Sequence, residues 1–199
     1  MMIKSCEEIK MEGKMIFAWA MMFCLTVAPP VHSEYYSKTV TPVANVEKKT
    51  HLHFFLHDIL SGQNPSAVMV ARANLTKKDD SPTPFGSLFA IDDPLRVGPD
   101  PTSKIIGNAQ GLYLSSSQDA SKFTIVLYAD FAFTTGKFNG SSFSLFSRNP
   151  VTEADREVAI VGGRGEFRMA RGFAKIKTSY FNATTGDAIL EYSVTLYHY

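Results

Sequence analysis

Cysteine is almost missing from this chain: there are two, Cys6 and Cys24, and both lie with the single tryptophan, Trp19, near the N-terminus. The run around them, "MIFAWAMMFCLTV" from Met15 to Val27, has the length and apolarity of a secretory signal. Lys10 and Lys14 precede it and the small residue Ser33 follows it. It is too short to span a bilayer as a helix. Residues 1–33 are therefore expected to be a removed signal peptide, cleaved after Ser33 with Ala28 as the alternative. Glu7, Glu8 and Glu12 dilute the usual basic start, so translation from Met11 or Met15 fits the pattern equally. A mature chain without cysteine has no disulfide framework, no cysteine metal site and no thiol nucleophile. A secreted domain of this size must then be held by a large core or by self-association.

An excess of one charge is missing too. Twenty Lys and Arg stand against nineteen Asp and Glu, for a net charge of +1. With basic residues scattered, neither nucleic acid nor an anionic membrane is an expected partner. No segment keeps a helical period. The chain instead alternates apolar and polar residues in short stretches divided by Gly, Pro, Asn and Asp clusters. Residues 34–50 are polar and aperiodic and are expected to be a flexible leader. Strands are expected over 51–57, 67–73, 86–91, 104–115, 122–133, 142–148, 156–161, 166–178 and 188–197. Among the expected turns are "DDPLRVGPDPTS" and the hairpin "GGRG". Strands at this spacing give an antiparallel sandwich or a closed barrel. The stretch from Lys122 has Ile125, Leu127, Ala129, Phe131 and Phe133 on one face and Val126, Tyr128 and Ala132 on the other. Two semi-apolar faces favour a barrel whose outside meets another subunit.

Three N-glycan acceptor triplets occur, at Asn74, Asn139 and Asn182. Each would have to sit at a surface turn. Metal motifs are lacking: His51, His53 and His57 are close in sequence, but no acidic or histidine cluster joins them, so a surface or interface role is expected and no metal. "VGGRGEF" lacks the Lys-Ser/Thr ending of a phosphate loop, and "SSSQ" lacks the setting of a hydrolase nucleophile.

The chemistry-bearing anomalies are polar residues on apolar parities. In "HLHFFLHDILSG", Asp58 shares the face of Leu52, Phe54 and Leu56. Turn formation would explain an Asp there without any function. Arg156 has the parity of Val158 and Ile160, Thr178 that of Ala174 and Ile176, and Tyr113 sits mid-strand. Alone, each reads as structural. Together they would line a polar pocket in an apolar shell.

Those residues lie in stretches that carry a resemblance. "FFLHDILSG", "FGSLFAIDDPL", "IGNAQGLYLSS", "FAFTTGKFNGSSFSLFSRN", "REVAIVGGRGEFRMARGFAKIKT" and "GDAILEYSVTLYHY" resemble the dirigent family of plant cell-wall proteins, in order, over residues 51–199. The resemblance implies an all-β, eight-stranded antiparallel barrel of the allene-oxide-cyclase type, a homotrimer, secreted to the apoplast. It implies action on phenolic radicals or quinone methides. Pocket positions of the pinoresinol-forming branch fall on Asp58, Tyr113, Asn149, Arg156 and Thr178. Asn149 stands where that branch has an acid, and "RN" is more similar to the pterocarpan-synthase-type branch. Ser115 stands where the first branch often has a second tyrosine.

No cofactor is expected, so radicals would come from an external laccase or peroxidase. Asp58, raised by apolar neighbours, would act as an acid and Arg156 would stabilise a phenolate, while Tyr113 and Thr178 would hold ring oxygens. The first expectation is stereoselective coupling of monolignols such as coniferyl alcohol to an optically active lignan such as pinoresinol. The alternatives are dehydration and cyclisation of an isoflavanol, or passive binding of phenolics in the wall.

Overall fold

The computed structural model describes residues 46–74 and 81–199. The expected signal peptide and the leader as far as residue 45 lie outside the described residues. The described chain contains nine strands: β1 (Lys48–Asp58), β2 (Ala67–Ala71), β3 (Leu88–Arg96), β4 (Ile105–Ser115), β5 (Thr124–Phe133), β6 (Ser142–Pro150), β7 (Arg156–Arg164), β8 (Arg171–Phe181) and β9 (Ala188–His198). Eight of them form an antiparallel ring in the order β1-β9-β8-β7-β6-β5-β4-β3. The ring closes where Phe55 and Leu56 of β1 meet Arg96 and Leu95 of β3. Strand β2 is a short ninth strand, paired with β3 beyond that seam. The expected all-β, eight-stranded closed barrel is therefore the observed fold.

Three expected boundaries are corrected. β1 begins at Lys48, inside the stretch expected to be flexible, because Lys48, Lys49 and Thr50 pair with His198, Tyr197 and Leu196 of β9. Backbone pairing there overrides the missing hydrophobic alternation. β3 continues through "DDPLR", which reads as a turn, and ends at Arg96. Pro94 is tolerated because it falls between the β2–β3 ladder and the β1–β3 contact, where no ladder partner needs its missing N–H. Finally, "GGR" belongs to β7, and Gly165–Phe167 forms a 3₁₀ turn before β8 starts at Arg171. Gly163 is required there, since a Cβ would strike the carbonyl oxygens of Phe167 and Ser142.

That turn folds one end of the barrel shut. Phe167 is fully buried and its ring lies 4.8 Å from Phe138, 6.1 Å from Phe133 and 6.4 Å from Phe143. Above it Phe131 stacks on Phe143 at 5.0 Å and Phe54 on Tyr192 at 5.6 Å. Offset aromatic stacks fill a small barrel's lumen efficiently, and these occupy its middle and one end. The other end receives no such plug.

Candidate functional site

The unplugged end is formed by the C-terminal ends of β1, β4, β6 and β8 and the starts of β5, β7 and β9. It encloses a cavity of about 480 Å³, within the usual range of small-molecule sites. Phe85, Phe123, Ile125, Val151, Phe181 and Leu190 supply its apolar wall. All five pocket residues named from the sequence line it: Asp58, Tyr113, Asn149, Arg156 and Thr178. Each comes from a different strand, so only barrel closure brings them together. Ser115 does not line the cavity; it is buried and its hydroxyl donates to the Thr83 carbonyl at 3.1 Å.

Arg156 is almost fully buried at the first position of β7. Its Nη2 donates to Thr178 Oγ1 at 2.6 Å and its Nη1 to Asn149 Oδ1 at 3.4 Å, while its Nε has no partner. The β6–β7 ladder stops at Leu145 and Ile160, so the Asn149 contact spans strands whose backbones have parted. Burial lowers the guanidinium pKa, and proximity to Tyr192 acts the other way. An arginine nevertheless keeps its proton in proteins. Its hydrogen-bond partners in the cavity are neutral, which leaves its charge free to meet an anion.

Asp58 ends β1 with one carboxyl oxygen, Oδ1, buried and without a hydrogen-bond partner. Burial first, and the charge of Asp187 second, push its pKa up to about 7. The group is thus an acid held protonated far above the ordinary carboxylate range. Tyr113 stacks on Phe89 at 4.8 Å, and burial followed by the charges of Asp58 and Asp93 pushes its phenol up, so it stays a neutral donor. Asp187 lies in the β8–β9 turn and accepts from the N–H groups of Leu60 and Ser61 and the hydroxyls of Ser61 and Thr185, at 2.6–2.9 Å. It ties the loop after β1 to the rim. Burial works against its charge, but those hydrogen bonds prevail and hold it below the usual carboxylate range.

Sequence reading missed a second interior acid. Asp93 is almost fully buried on β3, on the inward parity of Phe89, Ile91 and Leu95. The alternation that reveals it continues through the segment read as a turn. The histidines also part company. His51 and His53 are exposed, whereas His57 is buried outside the barrel wall with its Nε2 3.4 Å from the Gly98 carbonyl. The surface or interface role expected for the three is corrected for His57, which is buried within the protomer. The acceptor residues Asn74 and Asn139 are exposed outside strands, and Asn182 is half-buried in the β8–β9 turn.

The profile of the dirigent-like protein family matches residues 49–197. The chain belongs to the dirigent family. Dirigent protein 15 of Arabidopsis thaliana is 61% identical over 179 residues, covering 88% of this chain and 94% of that protein. Pterocarpan synthase 1 of Glycyrrhiza echinata is 47% identical over 154 residues, covering 77% and 80%. A solved pterocarpan synthase dirigent protein superposes with a TM-score of 0.72 at 46% identity, covering 79% of this chain and 89% of that one. The dirigent pocket thus carries an acid, a cation and a phenol in an apolar cup.

Proposed function

We propose that this protein controls the stereochemistry of a reaction that passes through a phenolic quinone methide, with Asp58 as the acid and Arg156 as the stabiliser of the phenolate. The observation that carries this reading is the buried, unpartnered Oδ1 of Asp58, whose pKa burial raises, in the same apolar cavity as an uncompensated guanidinium. Tyr113, Asn149 and Thr178 bind and orient the substrate. In the first route two monolignol radicals couple within the cavity, which selects the faces that meet, and an internal hydroxyl closes the resulting quinone methide. An external laccase or peroxidase supplies the radicals.

The second route is favoured by Asn149 and by the similarity to pterocarpan synthases. Asp58 gives its proton to the departing hydroxyl of an isoflavanol, water leaves, and an internal hydroxyl adds to the quinone methide. The sequence is redox-neutral and needs no oxidant. The protein works as a secreted, glycosylated homotrimer in the apoplast. The signal-like N-terminus, the three acceptor triplets and the exposed apolar outer wall support this setting.

Chiral chromatography separates the routes. Purified protein with coniferyl alcohol and a one-electron oxidant should give an enantiomeric excess that grows with protein at constant radical supply. A racemic product there, with conversion of an isoflavanol in the absence of oxidant, selects the second route. A racemic product and no conversion leave passive binding.

A further inference from the structure

The two short pairs that close the barrel set a register with a consequence for Asp58. Phe55 lies opposite Arg96 and Leu56 opposite Leu95. That ladder ends at Leu56 and Leu95, and Asp58 and Asp93 stand two residues beyond it on their strands. Both residues keep the inward parity of Leu56 and Leu95. Their backbones are pinned together by Ser66. Its Oγ accepts the Ile59 N–H at 3.0 Å, lies 3.1 Å from the His57 carbonyl and contacts Asp93 Oδ1 at 2.6 Å. The Ser66 carbonyl takes the Asp92 N–H at 2.8 Å.

Two carboxyls whose charges interact in a low-dielectric interior resist ionising together, so the pair favours a single negative charge over ordinary pH. Which oxygen bears it is a matter of hydrogen bonding. Asp93 has the Ser66 hydroxyl at a distance typical of a charge-assisted bond. Asp58 Oδ1 has nothing. We propose that Asp93, with Ser66 as its donor, is a positioning residue for Asp58: it takes the single charge of the pair and leaves the proton on the carboxyl that faces the pocket. Asp93 is not among the residues that line the cavity. The inference deepens the acid role assigned to Asp58 above and rests on it for its functional meaning, though not for its test.

The other charged or titratable groups around the pair come from every side. Asp187 faces it from the β8–β9 turn, Tyr113 from β4, and Tyr192 from β9 with Arg156 beyond it on β7, while Asp92 is the neighbour on β3. Asp187 raises Asp58; burial first and the charge of Asp58 second raise Asp93 well above the usual carboxylate range, and the Ser66 hydrogen bond pulls it back down. Burial raises both phenols, so neither competes for the charge. The value of about 7 for Asp58 arises from burial and Asp187 alone. In the proposed arrangement an ionised Asp93 carries it higher, and the acid then survives at neutral and mildly alkaline pH.

The test is a titration of the whole protein labelled with ¹³C at aspartate carboxyls, read by NMR and assigned with Asp58→Asn and Asp93→Asn. In the wild type Asp58 should lose its proton after Asp93. In Asp93→Asn its midpoint should fall by about one unit or more, towards neutrality. Ser66→Ala, which keeps both acids but removes the donor, should also lower the Asp58 midpoint as charge moves onto it. Where substrate conversion is measurable, the alkaline limb of its pH profile should shift in step. An Asp58 midpoint unchanged in either folded variant overturns the proposal, and so does an Asp93 that ionises after Asp58. If Asp93→Asn fails to fold, Ser66→Ala decides alone. A shifted midpoint in a protein that converts neither coniferyl alcohol nor an isoflavanol upholds the proton placement while the function above fails.

Discussion

In the acid role proposed for it, Asp58 serves function at the expense of stability. Its pKa is raised by burial, so the folded chain keeps a proton that the unfolded chain releases above about pH 4. Its contribution therefore becomes unfavourable as pH rises from about 4 towards about 7, and stays so above that. Asp58→Asn removes the penalty without changing shape. The variant should gain on the order of 1–3 kcal/mol at pH 8, with the gain vanishing at pH 3. Its catalytic turnover or stereoselectivity should drop by about two orders of magnitude. Thermal melts at the two pH values, set beside chiral product analysis, check both halves. A variant that is inactive and less stable at pH 8 would put Asp58 in the scaffold and not in the reaction.

Among the elements, the 3₁₀ turn Gly165–Phe167 has the clearest separable task. Phe167 plugs the end of the barrel opposite the cavity and meets Phe133, Phe138 and Phe143. Its ring also meets His198 edge-on at 5.3 Å. Phe167→Ala opens a void in a packed aromatic cluster and should cost about 3–5 kcal/mol. The pocket residues hang from the far ends of the same strands, so the enantiomeric preference of the product should survive at temperatures where the variant stays folded. Denaturant melts and chiral chromatography on the same sample test this pair of expectations. A loss of selectivity in the folded variant would mean that the plug also sets the pocket's shape.

For the whole molecule, the outer wall over β4–β6 is the notable surface. Leu112, Tyr128 and Phe146 lie side by side in register on three neighbouring strands, and all are exposed, as is Leu114. An apolar row of this kind is what a subunit interface leaves uncovered in one protomer. Tyr128→Glu sets an uncompensated charge in that row and should convert the expected trimer to monomers. Sedimentation equilibrium of the two proteins decides it. A wild type that sediments as a monomer would remove the trimer.

The sequence by itself determined the fold class and most of the pocket. Period-two alternation names strands, and a polar residue on an apolar parity names an inward polar group, as it did for Asp58, Arg156 and Thr178. Both signals are local, so one chain suffices to read them. Local pattern failed where pairing overrode it: at Lys48–Thr50, which β9 holds in the sheet, and at "DDPLR", where turn-forming residues continue β3. The second failure hid Asp93. Only the tertiary structure decided that β1 closes on β3, that Asp93 and Asp58 come close enough for their charges to interact, and that Arg156 meets Asn149 and Thr178 within one cavity. Those relations join residues far apart in the chain, and they depend on strand register, which no single strand's alternation encodes.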